Sequence, residues 1–179
     1  MKPITNISEV QEAGTSERLT AGGYICKYTK VTDVADKQYL SMEYDIAEGK
    51  FEGYYKSLEE SFGFWGGRCI RSYKEKALPM FKRMCSAVTK SNSGYIFDGN
   101  TNADETTLVG KLVGLVLGEE EYVGNDGSVK TRLYVYREIE IDKIREGKFT
   151  VPELKKLETV QPAGSEGFMQ VPDNESPFN

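Results

Sequence analysis

Between Gln38 and Glu48 the side chains alternate without a break, with Leu40, Met42, Tyr44 and Ile46 on one side and Ser41, Glu43 and Asp45 on the other. A period of two is the signature of a strand with one face in a core and one in water; a helix could not segregate these residues. This segment commits the chain to a sheet, and its neighbours extend the pattern. Leu19 to Val34 reads as a strand with Tyr24, Cys26 and Tyr28 on one face and Ile25, Lys27 and Thr29 on the other, begun or bulged at Ala21-Gly22-Gly23. Asp33 to Lys37 turns between the two. Glu48-Gly49-Lys50 predicts a tight turn into a third strand, Phe51 to Ser57, with Tyr54 and Tyr55 on opposite faces.

The alternation then stops. Phe62-Gly63-Phe64-Trp65-Gly66-Gly67-Arg68 holds too many glycines for a helix, so Leu58 to Arg71 reads as a long loop. Ser72-x-x-Glu75 has capping-box spacing, and Met80, Phe81, Met84 and Val88 follow at helical intervals until Asn92-Ser93-Gly94. Pro79 either kinks this helix or stands in the first turn of a shorter one. Gly94 to Thr107 is a polar connection. Leu108 to Leu117 is apolar, and Gly110 and Gly114 suit a curved, buried strand. Glu119-Glu120-Glu121 reads as solvated loop before Gly124-Asn125-Asp126-Gly127, a hairpin turn sequence. Val129 to Asp142 is the last strand, with Leu133, Val135, Ile139 and Ile141 toward the core and Arg132, Tyr134 and Tyr136 opposite. Residues 143–157 are charged and suit a short helix.

Three strands, a helix and two strands, with glycine bends and half-buried alternation, favour a small closed barrel. The expected fold class is mainly β: a five-stranded OB-fold-like barrel with a helix between strands 3 and 4. Residues 1–18 form a polar arm, 19–157 the domain and 158–179 a tail. At 179 residues the chain is long enough for a real core. No apolar run is long enough to span a bilayer, and the N-terminal residues lack a signal-peptide pattern, so a cytoplasmic protein with no membrane partner is expected.

Composition removes several chemistries. There is no histidine, hence no Ser-His or Cys-His nucleophile pair and no imidazole metal ligand. Cys26, Cys69 and Cys85 are odd in number and far apart, fitting neither a disulfide framework nor a CxxC metal site. The expectation is a protein that is not an enzyme and uses no cofactor or metal. A carboxylate-metal nuclease is the enzymatic alternative.

A net charge of −5 argues against nucleic acid until its distribution is considered. Residues 1–157 carry 23 basic against 24 acidic side chains, and residues 56–90 carry eight against three. Within this basic region lies the main candidate site. Tyr54, Tyr55, Phe62, Phe64, Trp65 and Tyr73 are interleaved with Lys56, Arg68 and Arg71. Unpaired bases stack on exposed rings while cations follow the phosphates, so this mix suits single-stranded nucleic acid. The alternative is that Phe62, Phe64 and Trp65 plug one end of the barrel; the adjacent arginines favour binding, since a plug needs none. Arg132, Tyr134 and Tyr136, with Tyr24, Tyr28 and Lys111, are secondary candidates for the same groove.

The tail from Glu158 has four acidic residues, no Lys or Arg, two Gly and three Pro, a composition that predicts disorder. It ends Asp173-Asn174-Glu175-Ser176-Pro177-Phe178-Asn179. With the OB-like element order and the basic aromatic loop, this tip resembles the single-stranded-DNA-binding proteins encoded by phages and prophages of Gram-positive bacteria. Bacterial proteins of this kind carry an acidic, Pro-Phe-ending tip that recruits replication, recombination and repair enzymes. Asp173, Glu175, Pro177 and Phe178 match it; Asn179 after the Phe and the smaller number of acidic residues are departures. The resemblance implies sequence-independent coating of single-stranded DNA in a bacterial host's cytoplasm during phage replication or recombination. It also implies partner recruitment through the tail and is compatible with a homodimer. A protein-interaction module that never touches DNA is the competing function.

Overall fold

The computed structural model describes residue 3 and residues 17–157. The tail over 158–179, with its candidate residues Asp173, Glu175, Pro177 and Phe178, and most of the arm over 1–18 lie outside the described residues. The domain is mainly β. A five-stranded antiparallel sheet runs in the order β3-β2-β1-β4-β5, built from β1 (Gly22–Val34), β2 (Tyr39–Ile46), β3 (Arg68–Ser72), β4 (Leu112–Val123) and β5 (Val129–Ile139). Three α-helices accompany it: α1 (Tyr54–Phe62), α2 (Leu78–Ser91) and α3 (Ile141–Arg145).

The strand with the clearest alternation is where it was expected. Leu40, Met42, Tyr44 and Ile46 of β2 are buried and pack with Cys26, Tyr28 and Val31 of β1 and with Val113, Leu115 and Leu117 of β4. Tyr28 is entirely buried, so it is part of the core and not of a groove. The helix between the third and fourth strands is also present. Pro79 stands in its first turn and Asn92 at its end, after a short 3-10 turn at Glu75–Ala77. Ser72 does not form the capping box: its hydroxyl accepts from the Lys74 amide at 3.2 Å and donates to the Gln38 carbonyl at 3.1 Å.

The region after β2 differs from the sequence reading. Phe51 to Ser57 is not a strand: the chain turns at Phe51–Gly53 and enters α1 at Tyr54. The cause is Asp45, which alternation had pointed toward water. Its carboxylate is buried and accepts from the Ile46 amide at 2.8 Å, the Tyr55 amide at 2.9 Å and the Lys56 amide at 3.3 Å. Two of those amides are orphan donors of the first helical turn, so a β2 side chain caps α1 across ten residues of sequence. Tyr54, Tyr55 and Leu58 then pack on the core, and Gly63, at φ 66°, ends the helix.

The third strand lies inside the stretch read as loop. Arg68–Ser72 pairs with Tyr39–Glu43, burying Cys69 and Arg71 while Arg68 and Ile70 face out. Gly67 makes this pairing possible. Its carbonyl accepts from the Tyr44 amide at 2.8 Å, and a Cβ there would lie 2.2 Å from the Tyr44 carbonyl oxygen. Two further expectations are corrected. Phe97, in the polar connection, is buried, and Glu119–Glu121 continue β4 into the hairpin rather than forming a loop.

A bulge decides what β5 places inside. Val116 pairs with Arg137 and Leu117 with Val135, leaving Tyr136 as the extra residue. The phase shifts by one beyond it, so Glu138 enters the interior and Ile139 is only half-buried. Ile141 is buried too, but from α3, not from the strand. Inside, Glu138 meets Arg71. The guanidinium donates from Nε to the Glu138 carboxylate, from Nη2 to the Val135 carbonyl at 3.3 Å and from Nη1 to the Ile70 carbonyl at 2.9 Å. This pair joins the two edge strands of the sheet through side chains. Burial disfavours the Arg71 charge, but Glu138 beside it holds the guanidinium above its ordinary value.

Candidate nucleic-acid interface

Capping of α1 by Asp45 and the turn at Gly63 bring the aromatic loop back across the end of the sheet, facing the β4–β5 hairpin. Between them lies an open cleft of about 520 Å³. Tyr54, Tyr55 and Leu58 of α1 line it together with Leu19, Phe64, Trp65 and Arg68, and Tyr122 and Arg132 of the hairpin strands and Arg18 also line it. Arg18, Arg68 and Arg132 line the cleft, and no carboxylate does.

The rings are held by one another. Tyr55 stands edge-on to Tyr44 at 5.4 Å and to Tyr54 at 5.3 Å, and Trp65 is tilted against it at 6.3 Å. The Trp65 indole donates to the Gly67 carbonyl at 3.0 Å, which fixes the ring relative to β3. Tyr54 accepts at its hydroxyl from the Leu19 amide at 3.4 Å. Burial pushes the Tyr55 phenol up to about 12, so this supporting ring stays neutral. Phe64 is 59% exposed and folds over Gly66.

The arginines are positioned from behind. Arg68 pairs with Glu43 at 3.2 Å across the β2–β3 ladder. Arg132 donates from Nε to its cross-strand partner Glu120 at 2.8 Å and lies 5.2 Å over the Tyr122 ring. Both side chains remain more than half exposed. Surface pairs of this kind contribute little stability, but they hold guanidinium groups in place toward the cleft.

Of the residues expected from sequence, the fold brings together Tyr54, Tyr55, Phe64, Trp65, Arg68 and Arg132. Phe62 stands at the end of α1, 76% exposed, outside the cleft lining. Lys56 is on the solvent side of α1, 3.9 Å from Glu60. Tyr134 is half-buried beside Gly118, and Tyr136 is 41% exposed under the Arg137 guanidinium at 4.8 Å; both follow Arg132 along β5. Three residues are placed elsewhere. Arg71 is committed to Glu138. Tyr73 donates to Asp33 at 2.8 Å and packs on Phe81, and Lys111 lies 4.3 Å over the Tyr95 ring. Tyr24, the remaining secondary candidate, is half-buried and donates to the Thr20 carbonyl at 2.9 Å.

Arg18 and Tyr122 were missed. Tyr122 was legible: extending β4 through the Glu119–Glu121 run would have placed it diagonally from Arg132. Arg18 has no sequence signal. Among the described residues, no group of three or more His, Cys, Asp or Glu side chains could hold a metal ion, and no helix is long and apolar enough to cross a membrane. No protein-family model matches the chain, and no curated protein matches it.

Proposed function

We propose that this protein binds single-stranded DNA without sequence preference, holding it in the cleft between the aromatic loop and the β4–β5 hairpin. The observation that carries this reading is a lining of three arginines and no carboxylate beside the rings of Tyr54, Phe64 and Trp65. Bases stacked on Phe64 and Trp65 contribute about 1–3 kcal/mol each. Each phosphate met by an arginine releases counterions and adds about −0.7 to the salt dependence of binding. Three arginines therefore give a slope of about −2. Tyr54 and Trp65 are preorganised by their contacts with Tyr55, so little ordering cost falls on these two rings in binding.

The reading includes an OB-type barrel. A strand order of β3-β2-β1-β4-β5, α2 between the third and fourth strands, and the Arg71–Glu138 contact between the two edge strands support it. Together with the acidic Pro-Phe tip, it supports a role in phage DNA replication or recombination in the bacterial cytoplasm, with Asp173, Glu175, Pro177 and Phe178 recruiting partner proteins. The tail's charge is opposite to that of the cleft, so tail and DNA compete. Removing residues 158–179 should raise DNA affinity, most at low salt, and an unchanged affinity would remove the competition from this account.

Trp65 is the only tryptophan, so its fluorescence reports on this cleft alone. Titration with oligo(dT) at two salt concentrations should quench it, with affinity falling as salt rises. Absence of both quenching and salt-sensitive binding would overturn the DNA reading. It would favour the interaction module, for which an apolar groove of about 840 Å³ along α2, with Leu78, Phe81 and Ile96 in its lining, is the supporting observation.

A further inference from the structure

The β5 bulge does more than turn Glu138 inward. Beyond it, Arg137 stacks on Tyr136, donates to its hydroxyl at 3.4 Å, and lines a second cleft, of about 270 Å³, that no residue of the first one lines. Four cations line it: Arg83 and Lys90 of α2, Arg137 of β5 and Lys143 of α3. Two carboxylates share the lining. Glu138 pairs with Arg71 through Oε1 while its buried Oε2 has no hydrogen-bond partner, and Glu140 lies 2.6 Å from Lys143 and 3.9 Å from Lys90. Among the described residues, Arg83 and Arg137 have no carboxylate partner, and the buried Arg137 Nε has no hydrogen-bond acceptor.

Arg83, Arg137 and the surplus of Lys90 and Lys143 over Glu140 leave three net positive charges on three different elements, which repel one another. That cost is relieved by an anion with several acceptor oxygens. The two clefts are connected by β5 itself. Arg132 and Arg137 pair with Glu120 and Val116 of β4, four residues apart because of the bulge, so they lie roughly 14 Å apart along the strand, with Tyr134 and Tyr136 between them.

We infer that the cleft formed by Arg83, Lys90, Arg137 and Lys143 is a second phosphate-binding site, taking the backbone of the same single strand after it leaves the Trp65 cleft and passes along β5. This inference rests on the DNA reading above and extends its footprint. At about 3.4 Å per stacked nucleotide, spanning the two clefts requires about four nucleotides beyond those in the first.

The test compares oligo(dT) of about five and about fifteen nucleotides on the full-length protein, read by Trp65 quenching over a range of salt. The Arg83→Gln/Lys90→Gln variant changes two exposed α2 side chains, and Arg137→Gln is made separately; urea unfolding checks that each is folded. For wild type, the longer oligonucleotide should bind with the steeper salt slope. Each variant should weaken only the longer one, and the double variant should lower its slope by about 1.4, which is on the order of tenfold or more in affinity near 0.1 M salt. Unchanged binding of the longer oligonucleotide overturns the second site while leaving the first intact. Equal weakening of both lengths overturns it as well, because the clefts would then not be separate. No quenching of wild type by either length refutes the DNA reading, and the second site falls with it.

Discussion

Replacing Glu138 with Gln isolates the role of the buried ion pair. The substitution keeps the shape of a side chain only 1% exposed and removes its charge, leaving the Arg71 guanidinium in the interior. Breaking a buried pair by removing one partner costs about 3–5 kcal/mol, because the remaining charge is uncompensated. Arg71 keeps two carbonyl acceptors, Val135 and Ile70, so the lower end applies and about 3 kcal/mol is expected. For a domain of this size that corresponds to a fall in Tm of about 6–12 °C. Replacing both partners with apolar residues, as Arg71→Met/Glu138→Leu, should restore most of the stability, since an apolar pair of similar volume carries no desolvation penalty. Urea unfolding gives the three midpoints, and their non-additivity gives the coupling. Oligo(dT) binding by the folded double variant should match wild type. A Glu138→Gln protein within about 0.5 kcal/mol of wild type would refute the buried pair. Loss of DNA binding in a folded double variant would return Arg71 to the interface where its sequence context had placed it.

Phe64→Ala removes a largely exposed ring, so it should leave the urea midpoint nearly unchanged while weakening oligo(dT) binding by about 1–3 kcal/mol; a stability loss without a binding loss would make the ring structural. Gly67→Ala sets a Cβ against the Tyr44 carbonyl and the Tyr55 ring and should cost about 1–3 kcal/mol in urea unfolding; wild-type stability would show that β3 is not held this closely. Stability should also fall in alkali. Burial pushes the Cys69 thiol up to about 12, Cys85 to about 11 and the Tyr55 phenol to about 12. Each group has its higher pKa in the folded state, so the folded protein retains protons that the unfolded chain releases. The stability this gives is complete below about pH 9, where the unfolded thiols begin to ionise, and is lost between about pH 9 and 12. Denaturant midpoints that stay flat across that window would show that these groups are open to water.

The readable parts of the fold were those in which local pattern and tertiary environment agree. β2 was legible because each of its apolar residues points into one core. The β4–β5 turn was legible because Gly124-Asn125-Asp126-Gly127 carries its own geometry, and α2 because its apolar face recurs at helical spacing. The aromatic cluster was visible as composition. Six of the fifteen residues named for nucleic acid line the cleft together; all but Arg132 come from one nearly continuous stretch of sequence that a single turn at Gly63 folds over.

What could not be read depended on partners remote in sequence. Tyr54-Tyr55 suits a strand or a helix equally. The choice fell to Asp45, a carboxylate on another strand whose burial is repaid only by the amides of α1. Arg71 looked like a phosphate ligand because its partner, Glu138, lies 67 residues away and faces inward only after a bulge that no local signal marks. Alternation, helical spacing and composition are local properties, and they were enough to specify a mainly β domain with one amphipathic helix after the third strand and with rings and cations close together. Which of those cations face solvent and which neutralise a buried carboxylate was settled by folding alone. A charged side chain's role depends on its distance from the opposite charge and from water, and neither distance exists until the chain has folded.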